Sequence, residues 1–402
     1  MKYAVILCDG MADRPIASLN NKTPMEAAFK PNMDFLAQNG EVGMVKTVPE
    51  GMPPGSDTAN LSVMGYNPEV YYSGRSPLEA VSMGIDLADT DVTFRCNLVT
   101  LSDEENLEDA TMVDYSSGEI TSAEAAILIE ALNKEFENDM VKLYPGISYR
   151  HCLVLKDAKT GTILTPPHDI SKRKVTEHLP KGEYGELLLS MIKRSREILK
   201  NHPVNLDRIK RGLNPASSCW FWGEGTKPRL DSFMKLYGVK GAVISAVDLI
   251  KGIGICAGLD NIEVEGATGN VDSNFIGKGK AAVKALKEDG YDFVYVHMEA
   301  PDECGHRGEA ENKVKSIELI DKDVVGTILK EMEGEDISIL LLPDHPTPVE
   351  LMTHVSDPIP YILYRSTKKN ENSVESYTEA LAEKTGVYEP FGHTLMKKLL
   401  SE

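Results

Sequence analysis

The sequence has 402 residues, of which 42% are hydrophobic and 26% are charged, and this length suggests two globular domains. Its formal net charge of −19 leaves no broad basic surface for a nucleic-acid duplex, although a local cluster of Arg and Lys can still bind an anionic substrate. No apolar run approaches the ~20 residues of a membrane span. We therefore expect neither nucleic-acid nor membrane partners.

Two further features favour a cytoplasmic protein. The six cysteines are scattered and form no C-x-x-C pair, which is typical of reduced thiols rather than of a disulfide framework. The N-terminal apolar run is shorter than the core of a secretory signal, and Asp9 ends it. The sequence leaves the oligomeric state open.

The first predicted element is a buried strand over residues 3–7, where apolar and β-branched residues follow one another. Asp9 comes at its carboxyl end, which is the edge where ligands bind in open α/β sheets. Residues 53–61 then run Pro-Pro-Gly-Ser-Asp-Thr-Ala-Asn-Leu, which predicts a turn and a helix that begins near Ser56. The amides of such a helix terminus favour phosphate, so Ser56 is a candidate nucleophile.

The pattern changes in the middle of the chain. The predicted elements there are strands over 91–101 and 150–155 and helices over 122–136 and 185–201. They lack the regular strand–helix alternation of a parallel sheet. We therefore predict an α+β domain at 77–227, inserted into a first domain that consists of 1–76 and 228–402.

Strand–helix alternation is clear again in the last third of the chain. The predicted elements are strands over 242–247, 293–297, 337–342 and 361–364, and helices over 274–289 and 309–333. Together with the first strand, this alternation predicts an α/β fold in which helices cover both faces of a parallel sheet.

Carboxylates and imidazoles are expected to gather at the edge of this sheet. Asp302 and His306 lie one helical turn apart and face the same way. Asp344 and His345 follow a predicted strand, and His354 comes after a loop that is rich in proline. With the aspartate after the first strand, they provide three carboxylates and three imidazoles, which favours Mn²⁺ or Zn²⁺ over Mg²⁺ or Ca²⁺. The number of ligands suits two metal ions, which can clamp both oxygens of a phosphoryl transfer.

The order of these motifs resembles the alkaline phosphatase superfamily and, within it, the cofactor-independent phosphoglycerate mutases of the archaeal type. The resemblance runs almost from end to end of the chain and rests on residues 7–13, 55–60, 74–80, 94–98, 266–269, 297–302, 343–345 and His354. It implies an alkaline-phosphatase-like parallel-sheet sandwich with an inserted domain that closes over a small phosphorylated metabolite.

The resemblance also implies a role for each candidate residue. One metal ion would be held by Asp302, His306 and His354. The other would be held by Asp9, Ser56, Asp344 and His345. Mn²⁺ is favoured for both ions, with Zn²⁺ or Mg²⁺ as alternatives. Ser56 would take the phosphoryl group from 3-phosphoglycerate and return it to the 2-hydroxyl, without bisphosphoglycerate. The basic residues expected to bind the substrate are Arg95, Arg150, His151 and Lys251.

One segment departs from the archaeal-type pattern and leaves the substrate open. An Arg-Gly pair is usual where this sequence has Trp222-Gly223, and the segment is similar instead to a bacterial branch proposed to be homoserine kinases. The first function is therefore a phosphoglycerate mutase, and the alternative is a homoserine kinase-like phosphotransferase, although the sequence contains no Walker motif. A phosphatase, in which water attacks the phosphoserine, and a purely structural metal protein are the remaining hypotheses.

Overall fold

A computed structural model describes residues 1–368 and 372–401. The chain divides into two compact units. Unit 1 consists of Met1–Tyr72 and Arg229–Glu402, and unit 2 consists of Ser73–Pro228. The inserted domain expected at 77–227 lies within unit 2.

An eight-stranded sheet forms the centre of unit 1, as far as the described residues show. Its strands, in spatial order, are Asp260–Asn261, Gly241–Ile244, Phe293–Met298, Lys2–Cys8, Ile337–Leu342, Ile359–Arg365, Glu41–Val45 and Tyr388–Glu389. The predicted strands are confirmed, with ends that differ by a few residues. The sheet is mixed, however, because Ile359–Arg365 runs antiparallel to both neighbours. No described helix connects it to Ile337–Leu342, and parallel neighbours need such a crossover.

Helices cover both faces of this sheet. The α-helices are Pro24–Ala27, Pro31–Asn39, Ser56–Val63, Pro68–Tyr71, Phe233–Tyr237, Asp248–Cys256, Phe275–Lys287, Ala300–His306, Ala310–Leu319, Gly326–Glu331, Glu379–Lys384 and Leu395–Leu400. Successive residues of the strand Lys2–Cys8 are buried from Ala4 onward, which requires cover on both faces. The α/β class predicted from the sequence is thereby confirmed. None of the described helices is long and apolar enough to cross a bilayer.

The helix predicted over 309–333 is continuous but contains a π-helical segment, Ile320–Val325. Asp321 lies in this segment and accepts hydrogen bonds from the backbone amides of Asn32 (3.3 Å) and Met33 (2.7 Å). These amides belong to the first turn of Pro31–Asn39, where they have no partner within their own helix. The π-helical turn therefore carries the carboxylate that binds the first turn of Pro31–Asn39.

Unit 2 is an α+β unit with its own core. Its main sheet pairs the central strand Val92–Leu101 antiparallel with Met112–Asp114, Arg150–Leu155 and Ser218–Thr226, and Arg150–Leu155 pairs with Val141–Tyr144. A separate two-stranded antiparallel sheet pairs Thr162–Ile163 with Lys181–Gly182. The α-helices are Ser76–Ser82, Ser122–Phe136, Gly185–Lys200 and Pro203–Lys210. The four elements predicted for this part of the chain are confirmed to within one residue.

A buried ion pair joins the helix Ala310–Leu319 to two loops of unit 1. Lys313 Nζ lies 2.8 Å from Asp13 Oδ2 and donates to the backbone oxygen of Thr347 at 2.8 Å. The side chains of Lys313 and Asp13 are 0% and 1% exposed. Asp13 also accepts from the backbone amide of Val349 (3.1 Å), so one carboxylate joins three segments of chain.

We expect Lys313→Met to lower the free energy of unfolding by about 3–5 kcal/mol, because the substitution leaves the carboxylate of Asp13 buried without its counter-charge. Urea unfolding followed by circular dichroism would measure this loss. Lys193→Met is the control, since Lys193 forms an exposed ion pair with Glu108 and should contribute little. A loss no larger than that of the control would contradict the prediction.

Candidate active site

Polar side chains lie at or just beyond the carboxyl ends of four adjacent parallel strands of unit 1. In spatial order they are Ser245, His297, Asp9 and Asp344. The carboxyl ends of parallel strands meet at one edge of a sheet, which is where ligands bind in open α/β folds. Asp9 and Asp344 were expected here, whereas His297 was noted only as part of a motif and Ser245 was missed.

One carboxylate oxygen of Asp9 is held by a hydrogen-bonded chain. Nε2 of His297 donates to the carboxylate oxygen Asp9 Oδ2 at 2.8 Å, so Nδ1 of the neutral ring accepts from the hydroxyl of Ser245 (3.1 Å). Ser245 Oγ in turn accepts from the backbone amide of Val247 (3.0 Å). Burial lowers the pKa of His297 well below its ordinary value, which fits a neutral ring.

The other carboxylate oxygen of Asp9 fits a metal ligand. Asp9 Oδ1 is buried and has no hydrogen-bond partner within the described part of the chain. Burial and the nearby carboxylate of Asp344 raise the pKa of Asp9 well above its ordinary value. A bound cation would satisfy this oxygen and offset the repulsion between the two carboxylates.

Asp344 is held by hydrogen bonds to both of its carboxylate oxygens. Oδ1 accepts from the backbone amides of Gly10 (3.1 Å) and His345 (2.9 Å). Oδ2 accepts from Asn60 Nδ2 (2.9 Å), and Asn60 Oδ1 accepts from the hydroxyl of Tyr295 (2.6 Å). All of these groups are buried. The position of Asp344 is thus set by three separate segments of unit 1.

Two imidazoles point their Nε2 atoms at each other beside Asp302. The Nδ1 atoms of His306 and His354 donate to the backbone oxygens of Met352 (3.1 Å) and Pro54 (3.0 Å). Their Nε2 atoms are 2.8 Å apart and lie 3.3 and 3.4 Å from the oxygens of Asp302. Two acceptor nitrogens at this separation need a proton or a cation between them, and the carboxylate provides a third ligand. The residues present therefore fit a divalent cation.

The ionisation of this group is consistent with its geometry. Burial alone would raise the pKa of Asp302, but a proton shared with the adjacent imidazoles of His306 and His354 holds that pKa well below its usual range, as a cation in the same place would. Asp302 Oδ1 also accepts from the hydroxyl of Thr347 at 2.5 Å. The carboxylate is therefore charged and already oriented.

His345 lies between Ser56, the candidate nucleophile, and the carboxylates of Asp302 and Asp344. The hydroxyl proton of Thr347 is donated to Asp302, so Thr347 Oγ1 must accept from Nδ1–H of His345 (3.2 Å). Nε2 of His345 then carries a lone pair, and it lies 3.1 Å from Ser56 Oγ and 3.3 Å from Asp344 Oδ2. Burial lowers the pKa of His345, in agreement with a neutral ring. Ser56 is the first residue of the helix Ser56–Val63, as predicted.

The ligand atoms fall into two groups that share His345. Within each group the atoms lie within 4.8 Å of one another, and the groups are Asp302, His345 and His354, and Asp9, Asp344 and His345. Gly10 permits this crowding, because it has φ +61° and a Cβ there would lie 2.6 Å from both Asp302 Oδ1 and Thr347 Oγ1. The structure thus brings together all seven residues expected to hold metal.

In unit 2, Arg95 is buried but remains charged. Its Nε lies 2.9 Å from Glu79 Oε2, and its Cζ lies 4.2 Å from the centre of the Trp222 ring. Burial lowers the pKa of Arg95 to about 10; Arg75 and Arg150 add to this effect and Glu79 opposes it. Arg150 is therefore close enough to Arg95 for the two charges to interact.

The structure does not bring His151 together with these arginines. In the paired strands, Arg95 lies opposite Cys152, and Cys96 lies opposite His151. Successive side chains of a strand point to opposite faces, so His151 lies on the face that Arg95 does not use. Burial lowers the pKa of His151 to about 3, and its Nδ1 accepts from the backbone amide of Gly146 (3.0 Å).

Lys251 belongs to unit 1, in the helix Asp248–Cys256. Its Nζ lies 2.8 Å from Glu263 Oε1, and its side chain is largely shielded. The positive charge of Lys251 adds to burial in lowering the pKa of Lys278 to about 8. Lys251 is thus an ion-paired residue that lies close enough to Lys278 for the two charges to interact. Lys278 was not among the residues expected from the sequence.

We expect His297→Phe to weaken Mn²⁺ binding by roughly 10- to 100-fold, because the carboxylate of Asp9 would lose the donor that orients it. Isothermal titration of metal-stripped protein with Mn²⁺ would measure this change. His202→Phe is the control, since His202 caps a helix of unit 2 and is not part of the ligand groups. Equal affinity in the parent and His297→Phe would show that Asp9 does not depend on this hydrogen bond.

Comparison with known proteins points to one family. The family model of the 2,3-bisphosphoglycerate-independent phosphoglycerate mutases matches residues 37–205. Proteins of that name from Methanosarcina barkeri (51% identity, 96% of this chain and 95% of the relative) and Methanothermobacter thermautotrophicus (number 2; 46% identity, 100% and 97%) are similar throughout.

Two solved structures are similar over the whole chain. The PH0037 protein of Pyrococcus horikoshii has a TM-score of 0.82 and 32% identity, and it covers 100% of this chain and 98% of its own. The cofactor-independent phosphoglycerate mutase of Thermoplasma acidophilum has a TM-score of 0.65 and 26% identity, with 100% and 99% covered. With relatives this similar over nearly all of their length, the chain belongs to the 2,3-bisphosphoglycerate-independent phosphoglycerate mutase family.

Proposed function

We propose that this protein interconverts 3-phosphoglycerate and 2-phosphoglycerate through a phosphoserine at Ser56. The observation that carries the proposal is the position of Ser56 Oγ, which lies 3.1 Å from the unprotonated nitrogen of His345, the residue shared by both ligand groups. The names of the relatives support phosphoglycerate as the substrate and do not favour the homoserine alternative.

The proposed site holds two divalent cations. One would be bound by Asp302, His306 and His354. The other would be bound by Asp9, Ser56, Asp344 and His345. The mixture of imidazole and carboxylate favours Mn²⁺. When bound, the cations would neutralise charge on the phosphoryl oxygens and lower the pKa of the serine hydroxyl.

In the proposed reaction, Ser56 Oγ forms a bond to phosphorus as the bond between phosphorus and the 3-oxygen of the substrate breaks. The proton of the serine hydroxyl passes to that oxygen, and glycerate is the product of this step. In the second step, the 2-oxygen of glycerate forms a bond to phosphorus as the bond between phosphorus and Ser56 Oγ breaks, and the proton of the 2-hydroxyl returns to Oγ. The helix Ser56–Val63 supports this chemistry, because the backbone amides of its first turn favour an anionic group.

We further propose that unit 2 is the substrate-binding domain and that Arg95 and Arg150 bind anionic groups of the substrate. Arg95 supports this role because none of the described residues accepts a hydrogen bond from its two terminal nitrogens. A buried guanidinium with free donors is suited to a carboxylate or phosphate. Lys251 would contribute only if it exchanged Glu263 for the substrate, and His151 would contribute through packing rather than charge.

A cytoplasmic location is also part of the proposal. None of the six cysteines forms a disulfide in the structure, and five of them are buried. Reduced thiols are the usual state of cysteine in a reducing compartment.

Phosphorus NMR of the purified protein loaded with Mn²⁺ would test the substrate. One sample would contain 3-phosphoglycerate and the other ATP with homoserine. We expect 2-phosphoglycerate to form at about 1–10³ turnovers per second, as is typical of enzymes. Phosphohomoserine, with 3-phosphoglycerate left unchanged, would overturn the mutase proposal and retain the site. Inorganic phosphate as the sole product would indicate a phosphatase.

A further inference from the structure

Four aromatic side chains of unit 2 form a continuous arc, which we call the aromatic arc. Its members, in spatial order, are Trp222, His168, Tyr115 and Tyr149. The ring centres are separated by 5.1, 6.1 and 5.9 Å from one member to the next. Each pair meets edge to face, which is a favourable arrangement for aromatic rings. Each ring therefore limits the movement of the next.

An arginine lies against each end of the aromatic arc. The Cζ atom of Arg95 is 4.2 Å from the centre of the Trp222 ring, and the Cζ atom of Arg150 is 5.1 Å from that of Tyr149. Both distances are within the ~6 Å over which a cation is attracted to an aromatic face. The arc therefore connects the two guanidinium groups that are proposed to bind the substrate.

Hydrogen bonds through Asn97 hold the indole of Trp222 in place. Its Nε1 donates to Asn97 Oδ1 at 2.9 Å, and Asn97 Nδ2 donates to the backbone oxygen of Tyr115 at 3.1 Å. Trp222 is 8% exposed, and it lies directly opposite Arg95 in the paired strands. A ring held in this way keeps the stacked guanidinium in one position.

Charge in this region favours a ligand with more than one negative group. Glu79 is shared between Arg75, at 3.0 Å, and Arg95, at 2.9 Å. Arg150 also acts on the pKa of Glu79, which the arginines hold below its ordinary value despite burial. Three guanidinium groups thus act on one carboxylate, and this local positive charge favours an anionic ligand.

We propose that the aromatic arc is a positioning device that holds Arg95 and Arg150 at a fixed separation and so selects substrates that carry two anionic groups. The inference rests on the proposed function, because 3-phosphoglycerate has a phosphate at one end and a carboxylate at the other. An arginine side chain loses conformational entropy when it binds a ligand. Stacking on an aromatic ring restricts the side chain before the ligand arrives, so that less entropy is lost on binding. Trp222 is then a positioning residue that acts through Arg95.

Steady-state kinetics of Trp222→Leu and Trp222→Phe test this role. We expect the KM for 3-phosphoglycerate to rise about tenfold in Trp222→Leu and less in Trp222→Phe, which keeps an aromatic face. The kcat should change little, because the arc holds the substrate equally in the ground and transition states. Tyr144→Leu is the matched control, since its ring faces Lys142 at 5.5 Å and is not part of the arc. An unchanged KM in Trp222→Leu, or a fall confined to kcat, would overturn the proposal.

Fluorescence separates this inference from the mutase proposal. The chain has two tryptophans, so Trp220→Phe leaves Trp222 as the only one. In this variant we expect 3-phosphoglycerate to change the emission at lower concentrations than inorganic phosphate does, and Arg95→Met to remove the response. Such a response without turnover would support the arc and reject the mutase. Turnover without a response, or an equal response to both ligands, would reject the arc alone.

Discussion

Ser56→Ala is expected to abolish the interconversion of 3- and 2-phosphoglycerate, with a loss of activity of roughly 10³- to 10⁶-fold. The substitution removes the oxygen that is proposed to carry the phosphoryl group, and this oxygen belongs to the first residue of the helix Ser56–Val63. The carboxylates and imidazoles of both ligand groups remain. Binding of Mn²⁺ should therefore persist in part, which distinguishes loss of the nucleophile from collapse of the site.

Mass spectrometry of the protein after brief incubation with 3-phosphoglycerate would show whether the peptide that contains Ser56 gains a phosphoryl group. Ser62→Ala is the matched control, because Ser62 is a buried serine on the same helix, outside the ligand groups. We expect Ser62→Ala to keep most of the activity and the modified peptide. Turnover at the parent rate in Ser56→Ala would exclude the phosphoserine mechanism.

Removal of divalent cations should inactivate the enzyme by more than about 10²-fold, and Mn²⁺ should restore it. Three buried carboxylates, of Asp9, Asp302 and Asp344, lie within two overlapping ligand groups. Without cations their charges repel one another, and the unpaired oxygen of Asp9 stays unsatisfied. Dialysis against a chelator, followed by assays with Mn²⁺, Zn²⁺ and Mg²⁺ in turn, would measure both effects.

Thermal unfolding provides a second readout of the same prediction that is independent of turnover. A ligand that binds only the folded state raises the Tm. We expect Mn²⁺ to raise the Tm of the parent protein and to raise it much less in Asp9→Asn and Asp302→Asn. Full activity in excess chelator, together with an unchanged Tm, would remove the metal from the mechanism.

Local patterns in the sequence were sufficient for most elements of the fold. The helix Ser122–Phe136 and the strand Arg150–Leu155 were predicted with the bounds that the structure has. The helix has apolar residues at helical spacing, and Thr121 caps it through a capping box with Glu124. The strand is a short run that is buried at every position after the first. Asp9 and Asp344 were expected at the same edge of the sheet because each follows an apolar strand, and the carboxyl ends of parallel strands meet there.

Other features depend on residues that are distant in sequence and had no local signal. The antiparallel direction of Ile359–Arg365 depends on which neighbour the strand pairs with, which its apolar pattern does not specify. His151 was grouped with Arg150 as an adjacent basic residue, yet strand alternation directs the two side chains to opposite faces. Residue type alone cannot show which of two adjacent basic residues lies on a given face of the sheet, because it does not give the burial of each face.

The sequence by itself determined the α/β class, the family and the chemistry of the candidate ligands, because these depend on periodicity, motif order and residue type. Only the tertiary structure decided which polar atoms of the site have hydrogen-bond partners and which remain available to a ligand. It oriented His297 toward Asp9 beside Ser245, left Asp9 Oδ1 without a hydrogen-bond partner among the described residues, and stacked Arg95 on Trp222. Hydrogen bonds and ring contacts need positions correct to a fraction of an ångström, and only the packing of distant segments supplies these.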